Sequence, residues 1–163
     1  ILIVDDDPDF VEITRTILSK EGYEVATASN GTQAWESMMK DKPDLVLLDV
    51  ILPDINGIDV CRQIKSDPAT ANQFVALMSG FRTESDDQAE GLEGGADEYI
   101  GWPVSNRELL ARLHTLLRLK RIEQELVKRT ALLKIAAAWI ITVPASATLA
   151  AILFFIIQGT MAV

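Results

Sequence analysis

Over the first hundred residues, short apolar runs alternate with stretches in which apolar residues recur every three or four positions. The runs are Ile1-Leu2-Ile3-Val4, Tyr23-Glu24-Val25-Ala26-Thr27, Leu45-Val46-Leu47-Leu48, Phe74-Val75-Ala76-Leu77-Met78 and the brief Tyr99-Ile100. Their length and their β-branched and aromatic content predict strands. Between them, Phe10, Val11, Ile13, Ile17 and Leu18 keep helical spacing as far as Gly22. After Asn30-Gly31 a second helix carries Ala34, Trp35, Met38 and Met39, read as core rather than a cofactor box. Ile58, Val60, Cys61 and Ile64 mark a third helix, and a stretch rich in small and acidic residues a fourth, ending at Gly94-Gly95. Trp102-Pro103 then breaks the chain. Parallel neighbours need crossovers, and these are right-handed, so five such units predict a parallel sheet with helices on both faces.

The predicted fold class is therefore α/β: a doubly wound five-stranded parallel sheet, flavodoxin-like and of (βα)5 form, followed by a long helix and a hydrophobic C-terminal helix. Its third strand enters from Lys42-Pro43-Asp44 and ends at Asp49. A strand buried on both faces belongs in the middle of such a sheet, and ligands bind at its carboxyl end. Asp49 is thus a candidate functional acid; the competing reading is a helix N-cap. A second acidic cluster, Asp5-Asp6-Asp7, ends the first run, and two parallel strands side by side bring the clusters together. Asp7 precedes Pro8 and reads as an N-cap followed by proline at the first helical position.

Charge divides the chain. Residues 1–104 hold 21 Asp and Glu against 7 Lys and Arg, residues 105–134 hold 3 against 8, and residues 135–163 hold none. An acidic globule argues against direct binding of nucleic acid, so no nucleic acid is expected among the partners. The single cysteine, Cys61, excludes an internal disulfide, fits a reducing compartment and reads as plain core. The chain opens in mid-strand without a methionine, from which we expect further residues before Ile1.

The acidic pair Asp5 and Asp6 after the first strand, Asp49 after the third, Ser79 after the fourth and Tyr99 in the fifth together resemble the receiver domain of two-component response regulators. The likeness covers residues 1 to about 118. It implies that Asp49 accepts a phosphoryl group from a histidine kinase or phosphotransfer protein. It further implies that Asp5, Asp6, Asp49 and the backbone carbonyl of Ile51 hold Mg2+, and that Ser79 and Tyr99 move together as a switch. No independent catalysis is expected beyond self-phosphorylation and dephosphorylation. The chemistry agrees: clustered carboxylates repel one another, and a hard divalent cation with oxygen ligands relieves that repulsion. Ser79-Gly80 also has the plainer reading of a strand-ending turn.

One position departs from the family pattern. A lysine is expected immediately before the proline that follows strand five, and here Trp102 stands there, with one neutral donor and no cation. Arg82, in the loop after Ser79, either reaches into the site or is solvated. The alternative function is accordingly a pseudo-receiver, a protein-interaction module that is not phosphorylated. An enzyme of flavodoxin-like fold is weaker, since neither a Gly-rich phosphate loop nor a catalytic dyad is visible.

The last third has its own pattern. Ser105-Asn106-Arg107-Glu108 forms a capping box opening a helix whose Leu109, Leu113, Leu116, Leu119, Ile122, Leu126 and Leu133 mostly step by three or four. His114 lies on a polar flank and is read as inert. A homodimer through the 105–134 helix and a charged linker helix are the two readings, the second because Arg129 interrupts the stripe. Residues 135–157 form 23 uncharged positions, enough to cross a hydrocarbon core of roughly 30 Å. Trp139 and the basic residues Lys128, Arg129 and Lys134 place the receiver on the cytoplasmic side of such an anchor, and Pro144 is expected to kink it. Residues 138–145 also resemble the final membrane helix of inorganic phosphate transporters; a buried helix of a soluble oligomer is the other reading of the tail. The expected domains are a receiver over 1–118, a basic linker or coiled-coil helix over 119–134 and a membrane or hydrophobic tail over 135–163.

Overall fold

The computed structural model describes the backbone of residues 1–80 and 85–161, and the side chains of residues 1–80 and 89–139. The elements alternate as expected: β1 (Leu2–Val4), α1 (Pro8–Lys20), β2 (Ala26–Ala28), α2 (Gly31–Asp41), β3 (Leu45–Asp49), α3 (Gly57–Ser66), β4 (Phe74–Ser79), α4 (Ser85–Glu93), β5 (Glu98–Gly101) and α5 (Asn106–Met161). The five strands form one sheet in the order β2-β1-β3-β4-β5, every pair parallel. Ile1–Lys120 and Arg121–Val163 are two separate compact units.

Because successive strand residues point to opposite faces, β1, β3 and β4 feed two cores. Leu2, Val4, Val46, Leu48, Val75, Leu77 and Tyr99 pack with Ala34 and Met38 of α2 and with Ile58, Cys61 and Ile64 of α3. Ile3, Leu45, Leu47, Ala76, Met78 and Ile100 pack on the other face with Leu18 of α1 and with Leu109, Leu113, Leu116 and Leu117 of α5. β3 is apolar at every interior position because both of its faces are covered.

Side-chain caps start the helices. The Asp7 carboxylate accepts from the amides of Asp9 and Phe10 at 3.0 and 3.4 Å, the Asn30 side chain from Gln33 at 2.9 Å and the Asn56 side chain from Ile58 at 2.8 Å. Each supplies an acceptor to an N–H group that has no partner within its helix. Half of the capping box at Ser105 forms: its hydroxyl accepts from the Glu108 amide at 3.2 Å, while the Glu108 carboxylate binds Arg112. Cys61 is fully buried, and burial pushes its thiol up to about 11, as a core residue requires.

Three expectations need correction. β2 begins at Ala26, not Tyr23, because Tyr23 and Val25 pack against the α1 and α5 side before the chain joins the sheet. Ile13 is 60% exposed and Met39 47% exposed. Each lies one position off the buried face, which Thr14 and Leu18 form in α1 and Ala34 and Met38 in α2.

Along α5, every described side chain from Arg121 to Trp139 is exposed, including Ile122, Leu126 and Leu133. His114 is exposed, with its ring 5.9 Å from that of Tyr23. Among the described residues no helix is long and apolar enough to cross a membrane. The expected membrane contact of 135–157, the kink at Pro144 and the transporter-like stretch fall mostly beyond residue 139, and those side chains lie outside the described residues.

Gly57 ties this architecture to the end of β3. A methyl group there would collide with the Asp49 carbonyl oxygen, whereas at Gly80 it would meet nothing within 4 Å. Gly57→Ala is expected to lower the unfolding free energy by about 1–3 kcal/mol, the usual effect of overpacking. Gly80→Ala should stay within about 0.5 kcal/mol of wild type. Urea denaturation of both variants checks this, and equal midpoints would refute the close packing at Gly57.

Candidate functional site

The sheet register sets the site. Val4 pairs with Leu48 across β1 and β3, so Asp5 and Asp6 leave β1 beside Asp49 at the end of β3. Asp49 pairs with Met78 of β4, and the Val50 amide continues that ladder to the Met78 carbonyl at 3.0 Å. Ser79, the last residue of β4, pairs with Gly101, and the Trp102 amide donates to the Ser79 carbonyl at 2.8 Å. Four adjacent strands thus end along one edge.

Their ends enclose a cleft of about 300 Å³ lined by Asp5, Asp6, Asp49, Ile51, Ser79 and Trp102, with Asp7, Phe10, Met78 and Gly80 completing the wall. Carboxylate oxygens of Asp5, Asp6 and Asp49 all lie within 4.8 Å of one another. Burial, the Asp5 charge and, more weakly, Asp6 push the Asp49 carboxyl up to about 7, against the pull of hydrogen bonds from the Ile51 and Val50 amides. Burial also raises Asp5, aided by Asp6 and Asp7, although the Asp7 amide donates to its carboxylate at 2.8 Å. Like charges held together in a half-buried site favour protonation, and a cation among them reverses the preference. The donor set, all oxygen and mostly carboxylate, fits a hard divalent ion.

Trp102 forms an apolar wall where a lysine was expected. Its ring meets Phe10 edge-on, with centroids 4.9 Å apart and planes at 90°. Arg82 lies outside the described residues.

Asp5, Asp6, Asp49, Ile51 and Ser79 share the cleft; Tyr99 does not. Its ring is buried on the α2 and α3 face, where a methyl group on Gly91 would touch both it and Leu77. Phe10, Asp7 and Met78 were not identified as cleft residues from the sequence. The N-cap assignment of Asp7 accounts for one of its two tasks, the other being the hydrogen bond to Asp5.

A family model for the response regulator receiver domain matches residues 1–114. Relatives agree. The DNA-binding response regulator MtrA of Mycolicibacterium smegmatis is 42% identical over 125 residues, which cover 77% of this chain and 52% of that protein. The alkaline phosphatase synthesis transcriptional regulatory protein PhoP of Bacillus subtilis is 41% identical over 122 residues, 75% of this chain and 50% of that protein. Among solved structures, the BeF3-activated N-terminal receiver domain of Klebsiella pneumoniae RstA superposes with a TM-score of 0.67 at 32% identity, covering 72% of this chain and 97% of that one. A CheY-like receiver domain protein from Methanospirillum hungatei gives 0.70 at 30% identity, covering 75% and 95%. The fold is that of a two-component receiver domain. The chain belongs to the response regulator receiver domain family.

The chain spans about half the length of the relatives MtrA and PhoP. Their names overturn the expectation that nucleic acid is no partner: MtrA is named as DNA-binding and PhoP as a transcriptional regulator. The charge of a receiver describes that domain's surface only, and a response regulator need not contact DNA through it.

The raised Asp49 fixes a pH dependence. Its carboxyl ordinarily ionises near 3.8 and in the folded chain near 7. The folded state therefore holds a proton that the unfolded state has lost, and stability falls as pH rises from about 4 to about 7. With solvent screening of a half-exposed site allowed for, this amounts to about 1–2 kcal/mol. Asp49→Asn should remove the fall and be the more stable protein at pH 7.5 without metal, and Trp102→Lys, by adding an ammonium, should flatten it. Urea midpoints at pH 5 and 7.5 decide the matter; an Asp49→Asn variant no more stable than wild type at pH 7.5 contradicts it.

Proposed function

We propose that this domain is the phosphoacceptor of a phosphorelay, taking a phosphoryl group on Asp49 from a histidine kinase or phosphotransfer protein in the cytoplasm. The observation that carries the reading is the convergence of Asp5, Asp6 and Asp49, with their ligand atoms within 4.8 Å, in a cleft that also contains Ser79. A carboxylate oxygen of Asp49 attacks phosphorus, the phosphorus–nitrogen bond of a phosphohistidine breaks, and the electron pair returns to the imidazole. Asp5, Asp6, Asp49 and the Ile51 carbonyl would hold Mg2+, which when bound would neutralise the carboxylates and the charge of the transferring group and favour the ionised, nucleophilic form of Asp49. Ser79 donates its hydroxyl to a phosphoryl oxygen, a contact made only in the phosphorylated state and therefore able to bias a two-state loop. Tyr99, one face away, senses that shift through β4 and β5. Control of transcription through DNA is the output proposed for such a receiver, a reading supported by the names of MtrA as DNA-binding and PhoP as a transcriptional regulator.

Incubation with a small acyl phosphate and Mg2+, followed by intact mass, should show the gain of one phosphoryl group. Asp49→Asn should gain none, and Asp6→Asn should react at least about tenfold more slowly, as loss of a metal ligand implies. No gain by wild type, or equal gain by Asp49→Asn, overturns the assignment. A wild type that binds Mg2+ yet gains no phosphoryl group is what the interaction-module reading requires.

A further inference from the structure

The loop between β3 and α3, residues 51–56, carries Ile51 into the acidic cleft and is held at three points. At its base Ile51 and Asn56 form an antiparallel bridge, and the Ile51 amide lies near enough to the Asp49 carboxylate to favour its ionised form. At its C-terminal end the Asn56 side chain caps α3, while the Gly57 amide donates to the Val50 carbonyl at 2.9 Å. At its tip the Asp54 carboxylate reaches a different helix. One oxygen accepts from the Gly31 amide at 2.8 Å, and the other from the Thr32 amide and the Thr32 hydroxyl, each at 3.0 Å.

Gly31 and Thr32 open α2, whose own cap, Asn30, serves only the Gln33 amide. Asp54 thus supplies acceptors to two N–H groups that the α2 helix leaves without partners, from 23 residues along the chain. The positive end of the helix favours a carboxylate there, and the Gly31 and Thr32 amides hold Asp54 below the usual carboxylate range. The surfaces also fit closely, since a methyl group on Gly31 would strike the Ile55 side chain.

We infer that Asp54 is a positioning residue: by fastening the tip of the 51–56 loop to the N-terminus of α2, it holds Ile51 in place beside Asp49. This rests on the proposed function insofar as the Ile51 carbonyl is a Mg2+ ligand there. Without the fastening, the loop keeps only its base and its α3 end. The Ile51 backbone, whose amide lies beside Asp49 and whose carbonyl would serve the cation, then samples other positions. Such a residue acts behind the site and touches neither metal nor phosphoryl group.

The test uses the full chain and two readouts. Amide hydrogen exchange without metal reports the loop directly, and Mg2+ titration by calorimetry reports the site. Asp54→Ala should speed exchange at Ile51 and Gly57 and weaken Mg2+ binding about tenfold, the low end of losses seen when a group behind a metal ligand is removed. Asp54→Asn retains one acceptor oxygen and should fall between Asp54→Ala and wild type. Two controls separate positioning from its rivals. Asn30→Ala weakens the start of α2 without touching the loop, and Glu36→Gln removes another acid from the groove that Asp54 lines; both should leave Ile51 exchange and Mg2+ affinity near wild type. Equal effects from Asn30→Ala would assign the loss to helix stability, and equal effects from Glu36→Gln to net charge, and either overturns the inference. Should wild type itself bind no Mg2+, the proposed function fails, and the exchange rates still decide for or against the fastening.

Discussion

Three carboxylates from two neighbouring strands share one cleft, and their mutual repulsion is the constraint on which the rest of the site turns. Asp5 and Asp49 are both pushed toward protonation, chiefly by burial and then by like charge. Natural folds do not keep such an arrangement for stability, since removing a charge from it would help. The cost persists where the charges have work to do. Here the surroundings limit the cost without abolishing it: amides of Val50 and Ile51 serve Asp49, and the Asp7 amide serves Asp5. These donors orient the carboxylates, and among the described residues no cationic side chain lines the cleft, a deficit that the proposed cation would fill.

Each support of the cleft has a local physical origin. The parallel order β2-β1-β3-β4-β5 puts β1, β3 and β4 side by side, so their carboxyl ends meet without any long excursion of the chain. Gly57 lets α3 start against the Asp49 carbonyl, which keeps the loop after β3 short and close. Asp7 begins α1 and fixes Asp5 with the same short segment. On the far side, the Phe10 and Trp102 rings build an apolar wall where receivers usually place an ammonium. That wall sets apolar surface beside the acids and itself carries no charge.

Much of this was legible in the sequence. The apolar runs ending in Asp5-Asp6-Asp7 and in Asp49 located β1 and β3 and, through the parallel register, the acidic cleft. Asn30, Asn56 and Ser105 follow local capping chemistry, which a sequence window of a few residues contains. Contacts between distant segments left no such trace. Asp54 reads as one residue of a Pro-Asp-Ile-Asn-Gly loop, and nothing near it in the chain points to Gly31 and Thr32. The burial of Thr14 rather than Ile13 depends on the exact rotation of α1, which an apolar residue beside the true face obscures. The nucleic-acid expectation failed for a different reason: the charge of a domain describes that domain's own surface, whereas the relatives' names describe proteins about twice as long.

Repulsion among Asp5, Asp6 and Asp49 is what a divalent cation would relieve. Titrating Mg2+ into the full chain at pH 7, in buffers of different ionisation enthalpy, measures the protons released on binding. With Asp49 near its midpoint at that pH, about half a proton should leave per ion bound, and the release should vanish in Asp49→Asn. Binding that releases no proton from wild type, or the same number from Asp49→Asn, would contradict the account.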